Sequence, residues 1–175
     1  DEGKKYPVKD ISIGCLQQKF TGHNKSVKRL IRSTDGSSIL SVTRFDENYL
    51  WSPIYLNNGR TTLTKKSIII TSSPVINAVI WKNGDYVFTL LKDKLICYDC
   101  LNTDEGSGRV ARNISSLDIK IDTDPECIFL LPESSATECH LVMIFKNGEC
   151  RSFQFSISNK SELKNKSEAF YELFE

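Results

Sequence analysis

Residues 22–52 read GHNKSVKRLIRSTDGSSILSVTRFDENYLWS. Two apolar runs, 27–32 and 38–43, flank Ser33-Thr34-Asp35-Gly36, and a third, 49–56, follows Asp46. Runs this short, rich in Val, Ile, Leu and Tyr and bounded by Ser, Asp, Asn and Gly, carry the period of strands. An Asp-Gly pair between two such runs supplies the positive φ of a tight hairpin. The same pattern fills the chain, with strands predicted at 61–67, 68–71, 75–82, 85–91, 94–99, 117–121, 126–131, 141–146 and 150–157. Asn58-Gly59, Asn83-Gly84 and Asn147-Gly148 supply further hairpin turns. Residues 101–112 (LNTDEGSGRVAR) are polar and Gly-rich and read as a long surface loop.

At 175 residues, 39% apolar and 26% charged, the chain can bury a core. Its 23 basic and 22 acidic side chains leave a formal charge of +1. That balance excludes a strong nucleic-acid footprint or a polybasic membrane anchor. No apolar run is long enough to span a bilayer. Residues 1–15 read as an N-terminal extension without the apolar core of a signal peptide, and the absence of an initiator Met suggests a piece of something longer.

The chain also repeats. Trp81-Lys82-Asn83-Gly84-Asp85-Tyr86 aligns with Phe145-Lys146-Asn147-Gly148-Glu149-Cys150. Leu50-Trp51-Ser52, Cys97-Tyr98-Asp99 and Ser152-Phe153-Gln154 mark the end of each third, their aromatics 47 and 55 residues apart. Four strands in roughly 40–50 residues is the unit of a β-propeller blade. The expected fold is therefore all-β: a propeller segment at 16–157, with blades near 16–60, 61–100 and 110–157.

The first unit resembles a WD repeat. That pattern is a Gly-His pair, a strand, a Ser-Pro-Asp-Gly-like turn, a Ser/Thr strand end, an Asp turn and a terminal Trp-Asp. Here the elements are Gly22-His23, Ser33-Thr34-Asp35-Gly36, Asp46 and Trp51-Ser52. The resemblance implies a buried hydrogen-bond chain: the Trp51 indole to a Ser/Thr hydroxyl, that hydroxyl to His23, and His23 to Asp46. Ser52 replaces the final Asp, and Arg44 stands at the hydroxyl position, so either Thr43 serves from one place earlier or the network is incomplete. The second and third units lack the Gly-His pair and are similar to propeller blades generally.

No constellation points to catalysis, a cofactor or a metal, and the expected function is non-enzymatic. Cys97-x-x-Cys100 is one pair where a zinc site needs four ligands, and it sits at a strand end instead of opening a helix. His140 has no carboxylate or serine motif beside it, and no nucleophile elbow occurs. Asp118, Asp122, Asp124 and Glu126 lack the order of a calcium loop. They read as the solvated face of a strand. Lys25, Lys28, Arg29, Arg32, Lys65 and Lys66 form a basic set that could meet an acidic partner if grouped on one face, or serve only solubility.

From Ser158 the period changes: Leu163, Phe170 and Phe174 fall at i, i+7 and i+11. An amphipathic C-terminal helix is expected at 158–175, capped by Ser158 or Asn159, the alternative being a frayed terminus; its three apolar residues would pack beneath the blades or lead into a following helical domain, or else form a partner-binding face. Propeller units with such a tail are similar to multi-propeller scaffolds that continue into helical domains. The rabconnectin-like fungal scaffolds of vacuolar proton-pump assembly are among these. The resemblance implies a cytoplasmic protein-interaction scaffold that reaches a membrane only through partners. Its partners would be other protein subunits, with the remaining blades drawn from the same longer chain or assembly, since three blades are too few to close a ring. The competing reading is a secreted or lumenal β-rich binding module. It would use the six cysteines (Cys15, Cys97, Cys100, Cys127, Cys139, Cys150) as disulfides and Asn24, Asn113, Asn159 and Asn165 as glycan acceptors.

Overall fold

The computed structural model describes residues 23–44, 47–55, 61–104, 109–119, 124–132, 135–157 and 162–165. These hold twelve strands: β1 (Val27–Arg32), β2 (Ile39–Thr43), β3 (Glu47–Tyr55), β4 (Thr61–Ile70), β5 (Asn77–Trp81), β6 (Tyr86–Leu90), β7 (Lys94–Asp104), β8 (Val110–Asp118), β9 (Pro125–Leu130), β10 (Glu138–Phe145), β11 (Cys150–Ser156) and β12 (Glu162–Asn165). Each strand pairs antiparallel with its sequence neighbour inside three groups of four: β1–β4, β5–β8 and β9–β12. The first two groups merge into an eight-stranded sheet where β4 meets β8 in parallel, Ile68 opposite Val110. There the Ile68 N–H donates to the Arg109 carbonyl oxygen at 3.0 Å.

Three expectations change. The runs at 61–67 and 68–71 are one strand, and it pairs along its length with β3. It therefore closes the first four-stranded group, where the sequence suggested it would open the second unit. The polar segment 101–112 is mostly strand: β7 runs on to Asp104 and β8 begins at Val110. Ladder pairing compensates there for weak strand propensity, because a long hairpin satisfies its own backbone groups. In the expected C-terminal helix, Glu162–Asn165 is strand β12, with Leu163 opposite Phe155. The open edge of β11 offers ladder bonds to whatever chain follows it, and four residues take them. The rest of 158–175, with Phe170 and Phe174, lies outside the described residues, as do residues 1–15 and Asn58-Gly59.

The core consists of two seams between the groups. In the first, Leu40, Val42, Leu50 and Ile69 meet Ala78, Ile80, Val87, Ile96, Tyr98 and Cys100. In the second, Trp81, Phe88, Leu90, Leu95 and Cys97 meet Ile128, Leu141, Met143, Phe145, Phe153 and Phe155. Phe155 sits among three aromatics, with ring centroids 5.3 Å from Phe88, 5.8 Å from Tyr86 and 6.0 Å from Trp81. Side chains alternate across a strand, so β6 sends Val87 to one seam and Tyr86, Phe88 and Leu90 to the other. That is why all five of its residues are buried. By contrast β1, at the inner edge of the first group, is almost wholly exposed.

The hairpin turns lock the groups together. Gly36, Gly84 and Gly148 adopt positive φ of 74°, 80° and 87°. The Ser38 hydroxyl, at the end of the β1–β2 turn, donates to the Asn83 carbonyl oxygen in the β5–β6 turn at 3.2 Å. A Cβ on Gly84 would lie 2.4 Å from Ser38 Oγ, whereas one on Gly148 would meet nothing within 4 Å. Gly148→Ala should therefore cost only the backbone penalty, about 1–2 kcal/mol. Gly84→Ala should cost visibly more in urea denaturation, because it adds a clash at the first seam. Equal losses would show that the two turns do not pack on each other.

Candidate functional site

The described residues of the motif, 23–44 and 47–52, form a compact polar network on the face of the first group that points away from the first seam. Ser41 on β2 lies directly opposite Tyr49 on β3. Trp51, two residues further along β3, faces the same way. The Trp51 indole N–H donates to Ser41 Oγ at 2.7 Å. Ser41 Oγ also lies 2.7 Å from His23 Nε2 and 3.2 Å from the Tyr49 carbonyl oxygen. A hydroxyl has one proton and two lone pairs, so Ser41 accepts from Trp51 and has a second partner for its own proton. The rings close around it: His23 meets Tyr49 edge-on at 4.4 Å, and Trp51 lies 5.9 Å from His23.

Sequence reasoning assigned the hydroxyl to Thr43, and the structure assigns it to Ser41. Thr43 instead donates to the Glu47 carbonyl oxygen at 2.9 Å, closing the β2–β3 connection. Ser41 precedes Trp51 by ten residues. Counting back from Trp51 alone could not locate it, because the length of the connection sets the offset. His23 Nδ1 is buried and makes no hydrogen bond with any described residue. Asp46, its expected partner, lies outside them. Burial, and secondarily the Lys65 ammonium, hold the His23 pKa below its ordinary 6.5. Lys65 Nζ stands 4.0 Å from the centre of the Tyr49 ring. Tyr49 donates to Glu47 Oε2 at 2.8 Å, and burial, together with that bond, pushes its phenol up to about 12.

The register shows how the other groups depart from this network. Thr89 lies opposite Ile96, two residues before Tyr98. Met143 lies opposite Arg151, two residues before Phe153. Thr89 and Tyr98 thus occupy the places of Ser41 and Trp51 in the second group, and Met143 and Phe153 in the third. The Tyr98 hydroxyl donates to the Ile70 carbonyl oxygen at 2.9 Å. The third pair is apolar and packs within the second seam. A polar anchor is thus replaced by hydrophobic burial along the chain.

The other candidate residues separate in space. Cys97 and Cys100 point into different seams, as an i, i+3 pair on one strand must. They cannot chelate one ion. Burial raises the Cys97 thiol well above its ordinary range and both Cys100 and Cys139 to about 12. The five cysteines among the described residues are free of disulfides. Asp118 and Asp124 pair with Lys94 and Lys146 at 3.6 and 3.1 Å, and Asp122 lies outside the described residues. Among the described residues no group of His, Cys, Asp and Glu could hold a metal ion. Lys66 bridges the first two groups, 3.1 Å from Asp85. Two concave surfaces escaped the sequence reading, since they form only between groups. One is a cleft of about 510 Å³ at the rim, with Pro74, Ile76 and Pro125 between Lys92, Lys146, Asp124 and Glu126. The other is a groove of about 180 Å³ between the inner strands β1, β5 and β9.

Trp51→Ala should destabilise the chain by about 3–5 kcal/mol in chemical denaturation; a loss under about 1 kcal/mol would remove Trp51 as the anchor of the first group. Because the folded state keeps His23 neutral, its proton uptake favours unfolding. Stability should hold above pH 6.5 and fall as the pH drops below it, towards the lower folded-state pKa. The melting temperature of His23→Gln should show a shallower fall over that window than the parent chain.

No protein-family model matches the chain. In sequence it is 31% identical over 158 residues to "Regulator of V-ATPase in vacuolar membrane protein 1" of Saccharomyces cerevisiae, covering 86% of this chain and 12% of that protein. The fission yeast SREBP-SCAP binding domains superpose with a TM-score of 0.63 at 13% identity, over 94% of this chain and 42% of theirs. The WD40 domain of fission yeast SCAP gives 0.57 at 12% identity, over 82% and 33%. Hsv2 of Kluyveromyces marxianus gives 0.59 at 10% identity, over 82% and 46%. The chain thus spans less than half of each of these structures and a small part of its sequence relative. With its three four-stranded groups the chain has the fold of a β-propeller segment; the Trp51–Ser41–His23 network of its first group is like that of a WD repeat, and the chain is similar in sequence to a yeast regulator of the V-ATPase.

Proposed function

We propose that the chain is a non-catalytic protein-interaction scaffold, the propeller portion of a larger multi-subunit assembly that regulates a vacuolar proton pump. Its sequence similarity to the V-ATPase regulator carries this reading. Apolar side chains exposed among the described residues support it. The described groups cover each other through two seams, yet Val27, Leu30, Ile54, Ile70 and Phe129 remain 42–56% exposed. Apolar side chains left on sheet faces and edges of this kind are surfaces for further subunits or blades. The remaining blades come from the same longer chain or from its assembly. Burial holds the Cys97, Cys100 and Cys139 thiols in their protonated form. Among the described residues no helix is long and apolar enough to cross a membrane. We place the protein in the cytoplasm, reaching the vacuolar surface through its partners.

Deleting the segment that encodes residues 23–165 from its gene should raise vacuolar pH, read with a ratiometric lumenal dye, while the amounts of the pump's own subunits stay unchanged. Normal acidification in the deletion strain would refute the proton-pump reading.

A further inference from the structure

The groove between the inner strands has a composition that selects a ligand. Ile31, Val79, Ile80, Phe129 and Leu130 give it apolar walls, and Arg32 is the one charged side chain lining it among the described residues. Phe129 is 49% exposed, and Leu30, two residues before Arg32 on β1, is 56% exposed. Lys28 and Arg29 are exposed on the same strand. Arg29 reaches across from β1 and donates to the Ile76 carbonyl oxygen, just before β5, at 2.9 Å. The Arg32 guanidinium lies against Gly36, in space that any side chain there would occupy. β1 pairs only with β2 within its sheet, so its other edge carries no ladder among the described residues. Arg32 thus lines an apolar groove beside a strand edge without a ladder, Lys28 stands exposed four residues before it on the same strand, and no carboxylate is among the described lining residues.

We infer that this inner-strand groove binds an extended acidic peptide segment that inserts one large apolar side chain. At about 180 Å³ the groove holds a single anchor side chain, well short of the volume of a small-molecule pocket. The free edge of β1 can take main-chain hydrogen bonds from an extended chain. Lys28 and Arg32 favour carboxylates on either side of the anchor and speed the encounter. The rim cleft carries no such preference, because its two lysines face two carboxylates. The inference rests on the reading of the chain as an interaction scaffold only in taking the ligand to be a protein. Loss of the peptide site would leave the acidification experiment untouched.

The test uses the full chain and a fluorescein-labelled peptide of about ten residues alternating Glu with Leu, followed by fluorescence anisotropy. It should bind at least about tenfold more tightly than same-length Glu/Ser or Lys/Leu peptides, and binding should weaken as salt rises. The double variant Lys28→Glu, Arg32→Glu should lose about tenfold for the Glu/Leu peptide and gain the Lys/Leu peptide, a swap that mere unfolding cannot produce. Phe129→Ser should weaken binding, and Lys92→Glu on the rim should not. The inference is overturned if Glu/Ser binds as well as Glu/Leu, or if charge reversal changes neither affinity. It is equally overturned if phosphatidylserine vesicles or an oligothymidine bind more tightly through the same residues.

Discussion

A four-stranded sheet has two faces, and the β5–β8 group has both of them covered. One face packs on Leu40, Val42, Leu50 and Ile69, the other on Leu141, Met143, Phe153 and Phe155. This double burial holds the rest in place. It sets the three groups side by side, and it brings the Ser38 and Asn83 turns into contact. It also brings β1, β5 and β9 together around a common groove. Burying apolar area is the main favourable term in folding, and here it resides almost entirely between groups.

The polar network of the first group has a different role. It does not build a seam; it fixes how the entry segment, β2 and β3 meet. Ser41, at 0% exposure, would be costly to bury unpaired. Its bonds to the Trp51 indole and the His23 ring meet that requirement and tie together residues 18 and 10 positions apart in sequence. In the second group the same register positions hold Thr89 and Tyr98, and in the third Met143 and Phe153. The third group needs no polar anchor, because Phe153 and Met143 lie inside the aromatic seam. Equivalent positions thus carry different solutions: a polar network in the first group, a seam tyrosine that still donates a hydrogen bond in the second, and close apolar packing in the third.

Charge is distributed with a similar asymmetry. The formal charge of the whole chain is +1, yet β1 concentrates cations at an inner strand edge while the rim lysine Lys146 is matched by Asp124. Neutrality overall therefore conceals a local preference for anions. The basic set, which could meet a partner only if grouped on one face, does not gather on one: Arg29 and Arg32 point to opposite faces of β1, Lys66 is occupied in a bridge to Asp85 and Lys65 lies over Tyr49.

The amino-acid sequence by itself determined the strands of the hairpins and their turns. Alternating apolar runs and Asp-Gly or Asn-Gly pairs act through local sterics, and the glycines at 36, 84 and 148 take the positive φ that those pairs imply. It also determined the anchor: Trp51 and His23 meet over one hydroxyl because the motif spacing places them there. Tertiary structure alone decided which hydroxyl that is, since Ser41 and Thr43 share a strand face and only the β2–β3 register selects between them. It decided that the polar stretch after Cys100 extends the β7–β8 hairpin and that Glu162–Asn165 adds a strand to β11, because ladder partners distant in sequence outweigh local propensity. The grooves, too, exist only between strands from different groups, whose proximity follows from the burial of both faces of the middle sheet and from no local pattern.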